Sequence, residues 1–260
     1  MAALRRRTTA RTQAKDGALS SSAHVLVVDV GGTHVKCLAT GQSAPREFDS
    51  GASLTPTEMV ERVKRLAADW PHDVVSVGFP GLVVAGRPVA EPQHLGRGWV
   101  GFDFARAFGR PARVMNDAAM QSLGSYAGGK MLFLGLGTGL GSAMVVDGVV
   151  EPMELAHLPF RKRTFEDYVG ERALKKYGKR KWRRFVAEIV QQLVAALEPD
   201  DVVLGGGNVR RMKTLPDRCR AGSNELAFVG GYRAWGQLAW RAPGPRESAR
   251  SRHTDGEHFT

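Results

Sequence analysis

The chain has 260 residues, 43% of them hydrophobic, and a net charge of +11 from 37 Lys and Arg against 26 Asp and Glu. This length and apolar content suit one large domain or two lobes around a sizeable core. Two cysteines without metal-ligand spacing argue against a disulfide scaffold or a zinc cluster and for a reducing compartment, and no apolar run approaches the roughly 20 residues of a membrane span. The basic balance favours polyanionic partners or substrates and fixes no fold.

Residues 1–22 carry Arg5, Arg6, Arg7, Arg11 and Lys15 among Ala, Ser and Thr, with no apolar signal core. They read as a disordered basic tail, an organellar transit peptide being the alternative of similar composition. Val25 to Val28 is a buried strand that runs into Asp29, Gly31, Gly32 and Thr33, and Val35 to Leu38 returns as the second strand of a hairpin. An acid, two glycines, a hydroxyl and Lys36 together are what a metal-phosphate group needs: backbone N–H groups and Lys36 offer positive charge, and Asp29 can hold a magnesium ion or its waters. A plain Gly-Gly hairpin turn is the competing reading. Thr57 to Trp70 has a helical period, with Thr55-Pro56 as its start signal. Asp73 to Phe79 is a strand ending in Pro80-Gly81, Arg87 to Ala90 a short strand, Phe102 to Phe108 a short helix and Ala112 to Met115 a strand. Asn116-Asp117 follows, and Ala118 to Tyr126 is a helix.

The pattern then restarts. Met131 to Leu136 is a strand followed by Gly137-Thr138-Gly139-Leu140-Gly141, and Ser142 to Val146 returns as a strand with a hairpin signal at Asp147-Gly148. Helices are expected over Phe165 to Tyr177 and Lys181 to Leu197, then a strand from Asp201 to Leu204 ending in Gly205-Gly206-Gly207-Asn208. Strand, glycine turn, strand, helix, strand is given twice. The expectation is an α/β chain of two lobes, 23–121 and 122–240, each opened by a glycine-rich hairpin turn, with a polar tail at 241–260. The dinucleotide fingerprint fails, because counting from Gly135 puts Leu140 at its last position and counting from Gly137 puts Ser142 there. No P-loop sequence occurs, and both glycine turns lead from strand to strand instead of strand to helix.

The motifs Asp29-Val-Gly-Gly-Thr33 with Lys36, Gly78-Phe-Pro-Gly81, Asn116-Asp117-Ala118, Gly135-Leu-Gly-Thr-Gly-Leu-Gly141, Glu154-Leu-Ala-His157 and Gly205-Gly-Gly-Asn208 stand in the order of the ROK family of sugar kinases. That family belongs to the actin/hexokinase/Hsp70 superfamily, and the chain resembles it over about Val25 to Trp235. The short length and missing cysteine cluster are most similar to its polyphosphate/ATP glucokinases. The resemblance implies a two-lobed, actin-like (ribonuclease-H-like) fold with a cleft between the lobes. It implies transfer of a terminal phosphoryl group from ATP or polyphosphate, with Mg2+, to the 6-hydroxyl of glucose or a close hexose. It also implies a homodimer in the cytoplasm. A non-catalytic sugar sensor, or a binder of polyanions or nucleic acid, is the alternative. Against it, only 22 residues precede the first strand, where family repressors carry a DNA-binding domain, and no aromatic stacking series supports nucleic acid.

The resemblance assigns Asp117 as general base, although an acid at a helix start is also favourable on dipole grounds. Asn116 would bond a sugar hydroxyl or cap the helix. Glu154 and His157, three apart, would converge on sugar hydroxyls or form a surface pair. Glu166 is a third sugar candidate, with Glu171 as competitor, and Gly81 lines the sugar pocket by its backbone. Gly31, Gly32, Thr33 and Lys36 make the first phosphate turn; Gly137, Thr138 and Gly139 make the second; Gly205, Gly206 and Gly207 pass under the nucleotide. Ala156 departs from the family's usual glycine, and without the family's cysteine cluster no zinc is expected. From Arg161 to Arg184, eleven Lys or Arg against three acids give +8. Lys179, Arg180 and Lys181 in that segment are a candidate polyanion track, or simply a solvated face.

Overall fold

The computed structural model of the chain describes residues 23–236, and the tails expected at 1–22 and 241–260 lie outside the described residues. In chain order the elements are β1 (Val25–Val30), β2 (His34–Ala39), β3 (Arg46–Asp49), α1 (Pro56–Leu66), β4 (Val74–Phe79), β5 (Val83–Val84), β6 (Arg87–Pro88), α2 (Phe104–Phe108), β7 (Ala112–Asn116) and α3 (Asp117–Ser125). They continue with β8 (Lys130–Leu136), β9 (Leu140–Val146), β10 (Val149–Met153), a 3-10 turn (Leu155–His157), β11 (Pro159–Phe160), β12 (Arg163–Thr164), α4 (Glu166–Val169), α5 (Glu171–Leu197), β13 (Asp201–Gly205), a 3-10 turn (Val209–Arg211), β14 (Cys219–Ala221) and α6 (Leu226–Arg233).

Two five-stranded sheets carry the duplication. One has the order β3-β2-β1-β4-β7 and the other β10-β9-β8-β13-β14. In each, the first three strands meander antiparallel and the last two join parallel to the first. This is the two-lobed, actin-like architecture expected from the sequence: two halves of one topology, each with a glycine turn at the end of its central strand.

Three apolar clusters hold it together. The first packs α1 and α2 under the first sheet, around Met59, Val63, Phe79, Trp99 and Phe104. The second packs α4 and α5 under the other sheet, around Leu134, Trp182, Val186 and Ile189. The third lies between the sheets and takes residues from both: Val27 and Val74 on one side, Met131, Phe133 and Val203 on the other, with Met120, Leu123, Ala227 and Phe228 of α3 and α6 in between. Helix α3 lies along β9 and α6 along β1, so the last helix of each half packs against the sheet of the other half.

The structure corrects the expected elements in places. The helix expected to reach Trp70 ends at Leu66, and Trp70 is buried in the following turn under the Arg46 guanidinium. Gly170 separates α4 from α5, and α5 breaks at Gly178, whose φ of 73° is open to glycine without strain. Residues 121 and 122 both lie in α3, and the chain passes from one sheet to the other between Ser125 and Lys130.

At the crossing of α3 and α6 the backbones touch. A Cβ on Gly124 would overlap the carbonyl oxygen of Leu226, and one on Gly230 would overlap that of Met120. Arg233 on α6 donates to the carbonyls of Leu123, Gly124 and Tyr126 and so closes the end of α3. Gly230→Ala therefore meets backbone atoms that cannot yield. It is expected to cost about 3 kcal/mol or more in denaturant unfolding, whereas Gly207→Ala, which meets nothing within 4 Å, is expected to unfold like the parent.

Candidate active site

The first turn follows β1. Gly31 N–H closes the hairpin on the His34 carbonyl at 2.9 Å, and Gly32 and Thr33 at its tip are exposed. The Cβ of His94, from the loop after β6, lies against Gly32, a neighbour that nothing in the sequence singles out. Ser50, also absent from the sequence reading, donates its hydroxyl to the Gly31 carbonyl at 2.6 Å. Asp29 lies two residues before Gly31 in β1, in register with Lys36 on β2 and Gly78 on β4. Lys36 in turn pairs with Glu47 of β3 at 3.1 Å, so its charge is shared between two carboxylates.

Asp117 is the first residue of α3. Its Oδ1 accepts the N–H of Ala118 at 2.7 Å, which fixes the carboxylate at the helix start. Asn116 caps the helix by accepting from Ala119 N, while its Nδ2 donates to the Gly81 carbonyl at 3.1 Å. The Asn-Asp pair thus anchors the helix, the Gly81 loop and the carboxylate together. Burial pushes the Asp117 carboxyl up to about 6; the N–H of Ala118 and its own N–H oppose this, and the charge of Glu154 adds to it. Asp29 is pushed up to about 7 by burial and then by the charge of Asp117, with Lys36 pulling the other way. Asp117 is therefore within electrostatic reach of both Asp29 and Glu154, although the three come from separate stretches.

Glu154 and His157 flank the 3-10 turn after β10, with their side chains 3.8 Å apart and both exposed. Ala156 adopts none of the positive φ angles found elsewhere in the chain, and its methyl group is buried in the second core. The absent glycine thus leaves the local backbone unstrained. Buried Ser142 donates to the Met153 carbonyl and accepts from Leu155 N–H, so it holds the peptides on both sides of Glu154. Glu166 Oε2 accepts the N–H of Leu140 at 3.2 Å and packs on Gly139, against the second turn. Glu171 pairs with Lys175 on its own helix.

The second turn, Gly137 to Gly139, is held from three sides. Glu166 is one. The start of α5 is another, where Glu171 N–H donates to the Thr138 carbonyl at 3.1 Å. Asn208 is the third, with Nδ2 donating to the Gly137 carbonyl at 3.0 Å. Gly206, at φ 81°, lies against the backbone of Leu136, so Gly205 to Gly207 pass directly beneath the turn. Gly141 touches the Ala118 methyl group, which sets the second turn beside Asp117.

A divalent cation fits Asp29. Two mutually repelling carboxylates at the end of a sheet gain from a positive charge, and magnesium uses one or two carboxylates plus substrate phosphates. Among the described residues no group of three His, Cys, Asp or Glu converges as a metal cage. In the basic segment, Arg161 and Arg184 reach Glu188, Arg163 reaches Asp167, and Arg183 donates to the Arg211 carbonyl. Lys179, Arg180 and Lys181 follow the Gly178 break, are exposed, and have no ion-pair partner among the described residues. Trp182 beside them is core, its indole N–H donating to the Val169 carbonyl at 2.7 Å. No helix among the described residues is long and apolar enough to cross a membrane.

No protein-family model matches the chain. It is 25% identical over 210 residues to the polyphosphate glucokinase of Mycobacterium tuberculosis, covering 72% of this chain and 79% of that one. The crystal structure of the inorganic polyphosphate/ATP-glucomannokinase of Arthrobacter sp. strain KM superposes with a TM-score of 0.68 at 24% identity, over 82% of this chain and 98% of that one. A ROK family glucokinase from Streptomyces griseus, solved with glucose and AMPPNP, superposes with a TM-score of 0.65 at 15% identity, over 80% and 98% of the two chains.

The raised carboxyls make the site costly to the fold. Asp29 holds its proton in the folded chain up to about pH 7 but releases it near 3.8 when unfolded. Between those values the folded state binds more protons, so its stability falls as pH rises through that window. Asp29→Asn is expected to melt higher than the parent at pH 8, with the gain closing by pH 4.5. A gain that is equal at both pH values contradicts the burial and repulsion assigned to this carboxylate.

Proposed function

We propose that this phosphotransferase, which has the two-lobed fold of the ROK sugar kinases, moves the terminal phosphoryl group of ATP or polyphosphate to the 6-hydroxyl of glucose or a close hexose. The observation that carries the reading is the placement of Asp117. Its carboxylate is partly buried at the start of α3, next to Asp29 of the first turn, within reach of Glu154, and beside the second turn through Ala118 and Gly141.

Phosphoryl transfer asks the protein for positioning and charge stabilisation, and for a group to take the proton of the attacking hydroxyl. Asp117 takes that proton. A carboxylate titrating near 6 is ionised at neutral pH yet a better base than an ordinary aspartate. Glu154 accepts from, and His157 donates to, the sugar hydroxyls, and Asn116 holds the Gly81 backbone that lines the pocket. The N–H groups of Gly32, Thr33, Thr138 and Gly139 meet the donor's phosphates, with Lys36 adding charge. Asp29 holds magnesium, directly or through water, and that ion offsets charge on the transferring group when bound. Gly205 to Gly207 pass under the nucleotide when ATP is the donor. Glu166 supports the second turn through Oε2 and keeps Oε1 for a sugar hydroxyl. A homodimer in the cytoplasm is the working setting.

Helix α5 starts at Glu171 against the Thr138 carbonyl, and the exposed Lys179, Arg180 and Lys181 open its second segment just after the Gly178 break. That position suits a chain of phosphates extending beyond the catalytic one. Two expected outcomes follow. Asp117→Asn is expected to lower turnover about 10²- to 10⁴-fold while glucose still binds by calorimetry. Near-parental turnover in a coupled hexose-6-phosphate assay rules out the base. Lys179→Ala/Arg180→Ala/Lys181→Ala is expected to raise the KM for polyphosphate severalfold and to flatten its salt dependence, with ATP nearly unaffected. Equal effects on both donors remove the track.

A further inference from the structure

Ser50 and Asn208 bond matching carbonyls of the two glycine turns and do the same thing with different chemistry. Gly31 is the first residue after β1, and Gly137 the first after β8. The carbonyl of Gly31 accepts the Ser50 hydroxyl at 2.6 Å, and the carbonyl of Gly137 accepts Asn208 Nδ2 at 3.0 Å. Each residue adds a backbone bond to the same turn: Ser50 N–H to the Thr33 carbonyl at 2.9 Å, and Asn208 N–H to the Leu136 carbonyl at 2.9 Å. Ser50 follows β3 and Asn208 follows β13, so the two are not counterparts in the duplicated topology. The shared carbonyl contact has been reached from two different directions.

A trans peptide holds its C=O and N–H on opposite sides of one plane, and no peptide among the described residues is cis. Fixing the Gly31 carbonyl toward Ser50 therefore fixes the Gly32 N–H away from it. Fixing the Gly137 carbonyl toward Asn208 does the same for the Thr138 N–H. Among the described residues these two N–H groups, and those of Thr33 and Gly139, donate to no protein acceptor. Without the pins these peptides are unusually free to turn over. Rotation of the first peptide is taken up by ψ of Gly31 and φ of Gly32, both glycine, and rotation of the second begins at Gly137. A turned peptide aims a carbonyl oxygen, not an N–H, at an incoming phosphate.

We propose that Ser50 and Asn208 are positioning residues that hold the Gly32 and Thr138 peptides in the anion-binding orientation, each setting one of the two phosphate turns for the phosphoryl donor. The inference rests on the kinase reading for the identity of its anion, and on the hydrogen bonds alone for its geometry.

The test uses the full-length protein and sodium tripolyphosphate, a soluble chain of phosphates, as probe. In the unaltered protein the backbone amide resonances of Gly32 and Thr138 are expected to shift on adding tripolyphosphate. Ser50→Ala should abolish the Gly32 response and leave that of Thr138, and Asn208→Ala the reverse. Each variant is expected to raise the donor KM about five- to tenfold, the worth of one hydrogen bond, with sugar KM and kcat within twofold. The double variant should multiply the two effects, because the pins share no partner. Ser50→Thr keeps the hydroxyl and is expected to restore the parental donor KM. A merely structural role would move melting temperature without this split between the two amides. Folded single variants with unchanged donor KM overturn the proposal, and so does an unaltered protein whose two amides ignore tripolyphosphate, a result that stands even if both variants fail to fold. If the unaltered protein phosphorylates no hexose but its two amides respond, the kinase reading fails and the pins remain.

Discussion

Gly124 and Gly230 let two helix backbones meet without side chains between them, and the relation between the two sheets depends on that contact. Helix α3 ends the first half and lies on the second sheet; α6 ends the second half and lies on the first. The exchange makes the central layer common property of both halves, with apolar residues from each sheet in one cluster. Polar ties reinforce it. Arg233 closes the end of α3, Ser76 donates its hydroxyl to the Gly231 carbonyl at 2.7 Å, and the indole N–H of Trp235 donates to Ser76. A wider residue at either glycine would separate the helices and, with them, the two glycine turns.

The site sits at the open end of this layer. Because α3 begins where β7 stops, Asp117 emerges at the edge of the first sheet with its helix already bound to the second. Burial there raises its carboxyl and that of Asp29, a local cost to stability that the three apolar cores offset. The neighbouring polar groups are mostly engaged in holding backbone: Asn116 holds Gly81, Ser142 holds the peptides around Glu154, and Glu166 and Asn208 hold the second turn. The groups around Asp117 are thus fixed by hydrogen bonds from behind, which suits the positioning that the proposed phosphoryl transfer demands.

Charge follows a different logic. Five of the eleven cations between Arg161 and Arg184 are tied to carboxylates or a carbonyl: Arg161 and Arg184 to Glu188, Arg163 to Asp167, Lys175 to Glu171 and Arg183 to the Arg211 carbonyl. The Gly178 break re-aims the helix and leaves three consecutive cations exposed at the start of its second segment, where the helix dipole gives them no help.

The order of strands and glycine turns was legible in the sequence because apolar runs ending in glycine leave few alternatives: β1, β2, β4, β7, β8, β9 and β13 lie where Val- and Leu-rich runs predict them. The duplication, and with it the two-lobed class, follows from that order. Strands β3 and β14 were not legible, since Arg-Glu-Phe-Asp and Cys-Arg-Ala are short, polar edge segments whose pairing is decided by the neighbouring strand. Nor was α6, whose two glycines argue against a helix until α3 is seen to need them. Candidate site residues inside a motif could be named from sequence. Ser50, His94 and Ser142 as parts of the site could not, because they reach it by hydrogen bonds or contacts across loops and strands and carry no spacing signal. The sequence by itself determined which residues could do chemistry and in what order they occur. Tertiary structure alone decided that Glu166 supports a turn, that Lys36 is shared with Glu47, and that Asp29 and Asp117 stand close enough to repel, because each depends on a distance between segments that no local pattern encodes.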